Sequence, residues 1–332
     1  MLYEFKNKVR GSNLPDWKMV KYIMNKIFVS LAAYRDPDLI NTVRSFYEKA
    51  KNKESLFFSL VSHEGPETDF DFSFIPKDQI SYQKIDYRLA DGACSGRHLA
   101  NSLLSDKYKY FLHTDSHSRA KQDWDDMLIK EYSKCSVKWG EDYIFTKYPH
   151  GFKKEWDENG IGKDVINEEN ESLHKVDAVW DETEYVYLLR WRDLEDLEYG
   201  DKVYGFAANF AFGSVKAFMK APYDPYMYFL GEEISLGVRL SVQGVNLVAP
   251  AINAIYTNYD RDNGKRGGFH WNDNSTWGLR DKSARQRLAK LFTLQDLGVY
   301  GLQDYAEEYR ALQKEMGLDF ESKDYIKPIY KN

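Results

Sequence analysis

Phe111-Leu112-His113-Thr114-Asp115-Ser116-His117 is a short apolar run that stops abruptly in an acid, a small residue and a histidine. Such a run, bounded by polar residues, reads as a buried strand. It predicts a strand over Tyr108 to Thr114, with Asp115 and His117 leaving together at its C-terminal edge. Open α/β sheets bind ligands at that edge. With one residue between them in extended geometry, the two side chains fall on one side, where a carboxylate and an imidazole can share one divalent cation. An oxygen and nitrogen donor set suits manganese or a similar first-row ion better than calcium. The stretch points to an enzyme whose metal holds a phosphate-bearing substrate.

Working outward, Ile27-Phe28-Val29-Ser30-Leu31 is rich in β-formers and runs into Ala32 to Pro37. Leu39 to Lys51 follows as a helix with Leu39, Val43, Phe46 and Tyr47 on one face, and Leu56 to Val61 is a second strand. The alternation implies a βαβ unit and a largely parallel sheet, hence an α/β fold. Ile85 to Arg88 is expected as a third strand, and Ala93 to Leu104 as a helix entered through Gly92. Trp124 to Tyr132 reads as a helix and Tyr143 to Thr146 as a strand. From Phe206 the chain regains apolar character, Gly231-Glu232-Glu233 opens a helix, and beyond Asp281 the periodicity is helical to about Met316. The expected organisation is an N-terminal extension over 1–25, a catalytic domain over 26–280 and a helical C-terminal segment over 281–332. Within the domain, 151–203 is an acidic excursion, read as a lid or acceptor-facing region.

At 332 residues the chain can bury a sizeable core. Its formal net charge of −6 offers no global attraction to nucleic acid. Charge is uneven, however: Glu155 to Asp201 is crowded with acids, whereas Lys6 to Lys26 and Arg261 to Lys290 are basic. Cys94 and Cys135 show neither metal-site spacing nor a disulfide framework, which fits a reducing compartment. The N-terminus lacks the apolar core of a signal peptide, and no stretch approaches the length of a membrane span. A cytoplasmic location is expected, in the host cell if the protein is viral.

Taken in order, IFVSLAAYRDPDL (27–39), GACSGRHLAN (92–101), YKYFLHTDSHSRAKQDWDD (108–126), TKYPHGF (146–152), AANFAFGS (207–214), APYDPYMYFLGEEISLGVRLSVQGVNLVAP (221–250) and LQDLGVYGLQDYAEEY (294–309) carry a resemblance. The chain resembles the cytoplasmic hydroxyproline N-acetylglucosaminyltransferases, which are similar in turn to the mucin-type polypeptide GalNAc-transferases. The resemblance covers roughly Lys26 to Phe320. It implies a GT-A fold, with a Rossmann-like mixed sheet binding a UDP-sugar, a divalent metal bridging the two phosphates, and a retaining reaction. It also implies Asp115 and His117 as the first two metal ligands, with Thr114 and Asp115 bordering the donor. Ser30, Tyr34 and Arg35 would lie at the nucleoside, and Arg97 at its uridine end. Glu232 would face the sugar hydroxyls, with Glu233 as the alternate and Asn209 as a partner.

One departure concerns the metal. Related enzymes carry a histidine where this chain has Thr257, leaving the third ligand open among His270, Asp260 and water. Arg35, Lys265 or Arg266 could add to phosphate stabilisation, since guanidinium forks bind phosphate well. Front-face transfer is expected, with a phosphate oxygen taking the acceptor's proton, so the carboxylate-pair logic of glycosidases is not required. The expected activity is transfer of GlcNAc or glucose from the UDP-sugar to an acceptor hydroxyl on a protein. Two alternatives stand beside it: a phage-type enzyme acting on 5-hydroxymethylpyrimidine bases in DNA, which the basic segments favour, and a catalytically silent nucleotide-sugar-binding module, which the absent histidine favours.

Overall fold

The computed structural model describes residues 26–157, 162–167, 174–181, 186–193, 200–260 and 268–325. The expected extension over 1–25 lies outside the described residues. The first half of the fold runs β1 (Ile27–Tyr34), α1 (Leu39–Glu48), β2 (Leu56–Glu64), β3 (Ile80–Asp86), α2 (Ala93–Ala100), β4 (Tyr110–Thr114), β5 (Ser118–Ala120), α3 (Trp124–Trp139), β6 (Tyr143–Thr146) and β7 (His150–Gly151). The acidic excursion contributes two antiparallel hairpins, β8 (Lys153–Trp156) with β9 (Gly162–Val165) and β10 (His174–Asp181) with β11 (Val186–Asp193). The chain then continues through β12 (Lys202–Val203), β13 (Phe210–Ser214), α4 (Val215–Phe218), α5 (Glu232–Val242), β14 (Asn246–Val248), β15 (Ile255–Thr257), α6 (His270–Asp273), α7 (Trp277–Phe292) and α8 (Ala306–Met316).

Eight strands form one mixed sheet in the order β12-β14-β6-β13-β4-β1-β2-β3. Strands β3, β2, β1 and β4 are parallel, and β13 runs antiparallel between β4 and β6. A parallel strand covered on both faces needs no polar alternation, and β1 accordingly has Ile27, Phe28, Val29 and Leu31 all buried. Successive side chains still point to opposite faces. Phe28 and Phe111 join one apolar cluster with α5, α7 and α8, through residues such as Ile234, Leu288 and Leu312. Ile27, Val29 and Leu112 join the other, with Leu39, Val43 and Phe46 of α1 and Trp124 and Leu128 of α3. The sheet is therefore the middle of three layers.

The expected third strand is displaced. It spans Ile80–Asp86, at the edge of the sheet, where Gln83 and Lys84 face solvent and interrupt the apolar run that a buried strand would show. Tyr87–Leu89 is instead a short 3-10 turn, started by the Arg88 N–H donating to the Asp86 carboxylate at 2.9 Å. Helix α3 runs on to Trp139, where Gly140 takes a φ of 75° and ends it. Gly92 adopts a φ of 94° before α2, and a side chain there would collide with the Tyr228 carbonyl. Both cysteines are buried, and neither forms a disulfide. Among the described residues no helix is long and apolar enough to cross a membrane.

Register brings the chemistry to one edge. In the parallel pairing Ser30 stands opposite His113, and in the antiparallel pairing Phe210 stands opposite Thr114 and Ala211 opposite Thr146. The carboxyl ends of β1, β4 and β6 thus lie at the same edge as the start of β13, the edge that carries Tyr34, Asp115, Tyr148 and Asn209. The order β3-β2-β1-β4 reverses direction between β1 and β4, the switch point at which doubly wound sheets bind ligands.

Candidate active site

Two adjoining cavities open at this edge. The larger, about 400 Å³, is bordered by Tyr34, His63, Asp115, His117, His270 and Trp271, among others. The smaller, about 190 Å³, is bordered by Tyr148, Asn209, Glu232 and Glu233. Arg97, Asp115 and Phe229 belong to both walls.

A continuous chain of polar contacts joins them. Asp36, in the turn after β1, receives the Ser116 hydroxyl at 2.6 Å and lies 2.9 Å from His117 Nδ1. His117 Nε2 stands 3.4 Å from Asp115 Oδ2. The other Asp115 oxygen accepts from Arg97 Nη2 at 2.9 Å, while Arg97 Nη1 donates to Glu232 Oε1. The Cys94 thiol donates to Glu232 Oε2 at 2.8 Å. Helix α2 supplies both Cys94 and Arg97, and α5 supplies Glu232 from its first turn, where the helix dipole favours a carboxylate.

Burial works against a charged His117, but hydrogen bonds to Asp115 and Asp36 prevail and hold its pKa above the usual histidine value. Burial likewise opposes the Arg97 charge, and the Glu232 and Asp115 carboxylates more than offset it. Glu233 accepts from the Ala208 N–H at 2.7 Å and from the Tyr148 hydroxyl at 2.9 Å. Its pKa is pushed up to about 7, chiefly by burial and then by the neighbouring Glu232 charge. Asn209 Nδ2 donates to the Tyr259 hydroxyl oxygen at 3.1 Å, and that hydroxyl donates in turn to the Pro149 carbonyl at 2.9 Å.

The remaining expected residues divide. Tyr34 lines the larger cavity, and its hydroxyl donates to Asp273 of α6 at 2.9 Å. Arg35, at a φ of 46°, pairs with the same carboxylate oxygen at 2.6 Å and stacks over Tyr87. Ser30 and Thr114 are buried within β1 and β4 and do not border either cavity. Thr257 is also buried, hydrogen-bonded to Ser118 Oγ at 2.9 Å in the small sheet β5-β15-β7. Its successors Asn258 and Tyr259 reach the cavity instead, and the Asn258 N–H donates to the His117 carbonyl at 3.0 Å. His270 borders the cavity with Nδ1 engaged by the Tyr228 hydroxyl and a buried Nε2 without a hydrogen-bond partner. Burial lowers its pKa to about 4. The Asp260 N–H donates to Asn258 Oδ1 at 2.9 Å. Lys265 and Arg266 lie outside the described residues.

The pair Asp115 and His117 fits a divalent cation by donor chemistry and proximity. Asp36 on His117 Nδ1 is the kind of carboxylate contact that orients a metal-binding imidazole. Among the described residues no group of three His, Cys, Asp or Glu side chains converges to hold a metal. Asp36, His63 and Tyr148 escaped the reading of the sequence. Each lies at or just after the C-terminal end of a strand, the same signal that marked Asp115.

The mixed sheet and its flanking helices have the architecture of the GT-A glycosyltransferases. The chain belongs to the family described as Glycosyltransferase (GlcNAc), which matches residues 26–72 and 66–317. Among solved structures it is similar to GalNAc-T7 with UDP, GalNAc and Mn2+, at 13% identity and a TM-score of 0.53, covering 88% of this chain and 57% of that one. S. aureus TarS aligns at 11% identity and a TM-score of 0.45, covering 88% of this chain and 43% of TarS. The chain thus spans about half the length of these two proteins. No curated protein matches the sequence.

Proposed function

We propose that the protein is a metal-dependent, retaining glycosyltransferase that moves GlcNAc or glucose from a UDP-sugar to an acceptor hydroxyl on a protein. One observation carries this reading: the Asp115–His117 pair and Glu232 meet through Arg97 on the wall shared by two cavities at the switch point of the sheet. The larger cavity takes the nucleoside and diphosphate, with Tyr34 and His63 on the nucleoside side. The smaller takes the sugar, whose hydroxyls Glu232 and Asn209 bind, with Glu233 behind them. The catalytic unit runs over 26–280, buttressed by the helical segment after it.

Asp115 and His117 would hold the divalent cation, Mn2+ by analogy with the GalNAc-T7 complex. When bound there it would offset the negative charge that grows on the diphosphate as the glycosidic bond breaks. Arg97 adds fixed positive charge at the junction of the cavities. The bond between the anomeric carbon and the diphosphate oxygen breaks, and the acceptor oxygen bonds to that carbon from the same face. A diphosphate oxygen takes the acceptor's proton, so neither Glu232 nor Glu233 acts as a nucleophile.

The test is UDP release from UDP-GlcNAc, UDP-glucose and UDP-GalNAc, with Mn2+ or chelator, and with or without hydroxymethylated DNA. Metal-dependent release is expected, and its donor preference names the sugar. Stimulation by DNA would replace the protein acceptor with a nucleic acid. Donor binding without release under any condition, including with hydroxyproline peptides, would favour the silent module.

A further inference from the structure

We propose that Arg97 makes divalent-cation binding at Asp115 conditional on the arrival of the nucleotide-sugar. The proposal rests on the reading that Asp115 and His117 hold that cation. Arg97 projects from α2 onto the wall common to both cavities, with its side chain 15% exposed. One guanidinium nitrogen donates to Asp115 Oδ1 at 2.9 Å and another to Glu232 Oε1.

A guanidinium already seated on Asp115 opposes a second cation in two ways. It engages one carboxylate oxygen, and it repels an incoming positive charge across a partly buried space where screening is weak. The protein's own donors are also few: Asp36 is spent on His117 Nδ1, and among the described residues no three His, Cys, Asp or Glu side chains are arranged to hold a metal. In the free protein a cation therefore meets a two-donor site that Arg97 has half neutralised.

A nucleoside diphosphate in the larger cavity changes both conditions. Its oxygens supply the missing donors, and its negative charge gives Arg97 another partner, which releases Asp115 to the cation. Glu232 retains its hold on Arg97 during this exchange, and Cys94 braces Glu232 at 2.8 Å from the other side. Because coupling between two bound species is reciprocal, the cation strengthens nucleotide binding by the same factor.

The experiment is Mn2+ binding to the full chain, followed by electron paramagnetic resonance of free Mn2+, with and without UDP and without turnover. In the wild-type protein UDP should tighten Mn2+ binding by about tenfold or more, within the ordinary range of such coupling. Arg97→Gln should bind Mn2+ more tightly than wild type when UDP is absent and should gain less from UDP. Glu232→Gln should shift the other way, because Arg97 is then left to Asp115 alone. A purely structural Arg97 predicts weaker Mn2+ binding in Arg97→Gln, and that result, or an unchanged affinity, overturns the proposal. If Arg97→Gln does not fold, the Glu232→Gln protein decides: binding that is unchanged or tighter without UDP overturns it. Wild-type protein that binds no Mn2+ even with UDP, or Asp115→Asn protein that binds it undiminished, fails at the earlier step, overturning the metal assignment and the coupling with it.

Discussion

Asp115 stands between Arg97 on one oxygen and His117 beside the other, on the wall that the two cavities share. Asp115→Asn keeps the size of the side chain and removes the charge. UDP release should fall by roughly a hundredfold or more, the scale on which losing one transition-state electrostatic contact is felt. Activity within threefold of wild type in a saturating UDP-release assay would contradict the assignment. Glu233 leads to a pH prediction. Its carboxyl titrates near 7 in the fold against an ordinary 4.5, so between these values the native chain keeps a proton that the unfolded chain has released. Its contribution to stability is complete below that window and is lost as pH rises through about 7. Thermal unfolding from pH 5 to pH 8 should show a declining melting temperature, and Glu233→Gln should flatten part of that decline. A variant with the wild-type slope would show that Glu233 is already charged. The places of Asp115 and His117 at a strand end and of Glu232 at a helix start were legible because an apolar run ending in polar residues, and an acid pair opening a helix, are local signals; the sugar-facing role proposed for Glu232 comes only from the family resemblance. Asp36 was not singled out, since its role depends on His117, 81 positions away.

At the scale of elements, strand ends decide the site. The antiparallel entry of β13 carries Asn209 to the edge reached by β4, and only pairing of Phe210 with Thr114 makes them neighbours. The β8–β9 hairpin is tied to this framework by ion pairs to the buried Arg119 and Asp38. Arg119 of β5 donates to Asp38 at 2.8 Å and to Asp164 of β9 at 2.5 Å, and Lys154 of β8 donates to Asp38 at 2.7 Å. Asp38→Ala would remove one carboxylate that the buried Arg119 and the half-buried Lys154 both engage. It should cost roughly 2 kcal/mol or more, because charge-assisted hydrogen bonds to a buried carboxylate are lost. Urea unfolding measures this, and a loss below 1 kcal/mol would mean that Asp164 alone suffices. Existence and order of the early elements were readable from periodicity. Strand β3 was misplaced because an edge strand with an exposed face need not be apolar.

Across the whole molecule, the C-terminal helices share one core with the sheet: Ala284, Leu288, Leu291, Tyr309 and Leu312 cluster with Phe28, Phe111 and Phe206. A chain ending at residue 280 would cut α7 and uncover that face of the sheet. Such a protein should aggregate or unfold without cooperativity, as judged by gel filtration and thermal melts. A monomeric product with a sharp transition would show that the sheet is self-sufficient. The sequence by itself determined the α/β alternation, the strand whose end carries Asp115 and His117, and the helix that begins at Glu232, because these depend on patterns within about ten residues. Tertiary structure alone decided that Arg97 bridges two carboxylates, that Asp36 backs His117 and that Thr257 turns into the small sheet while Asn258 and Tyr259 reach the cavity. Those contacts join segments far apart in the chain, and no local periodicity encodes which of the compatible partners the packed sheet will bring together.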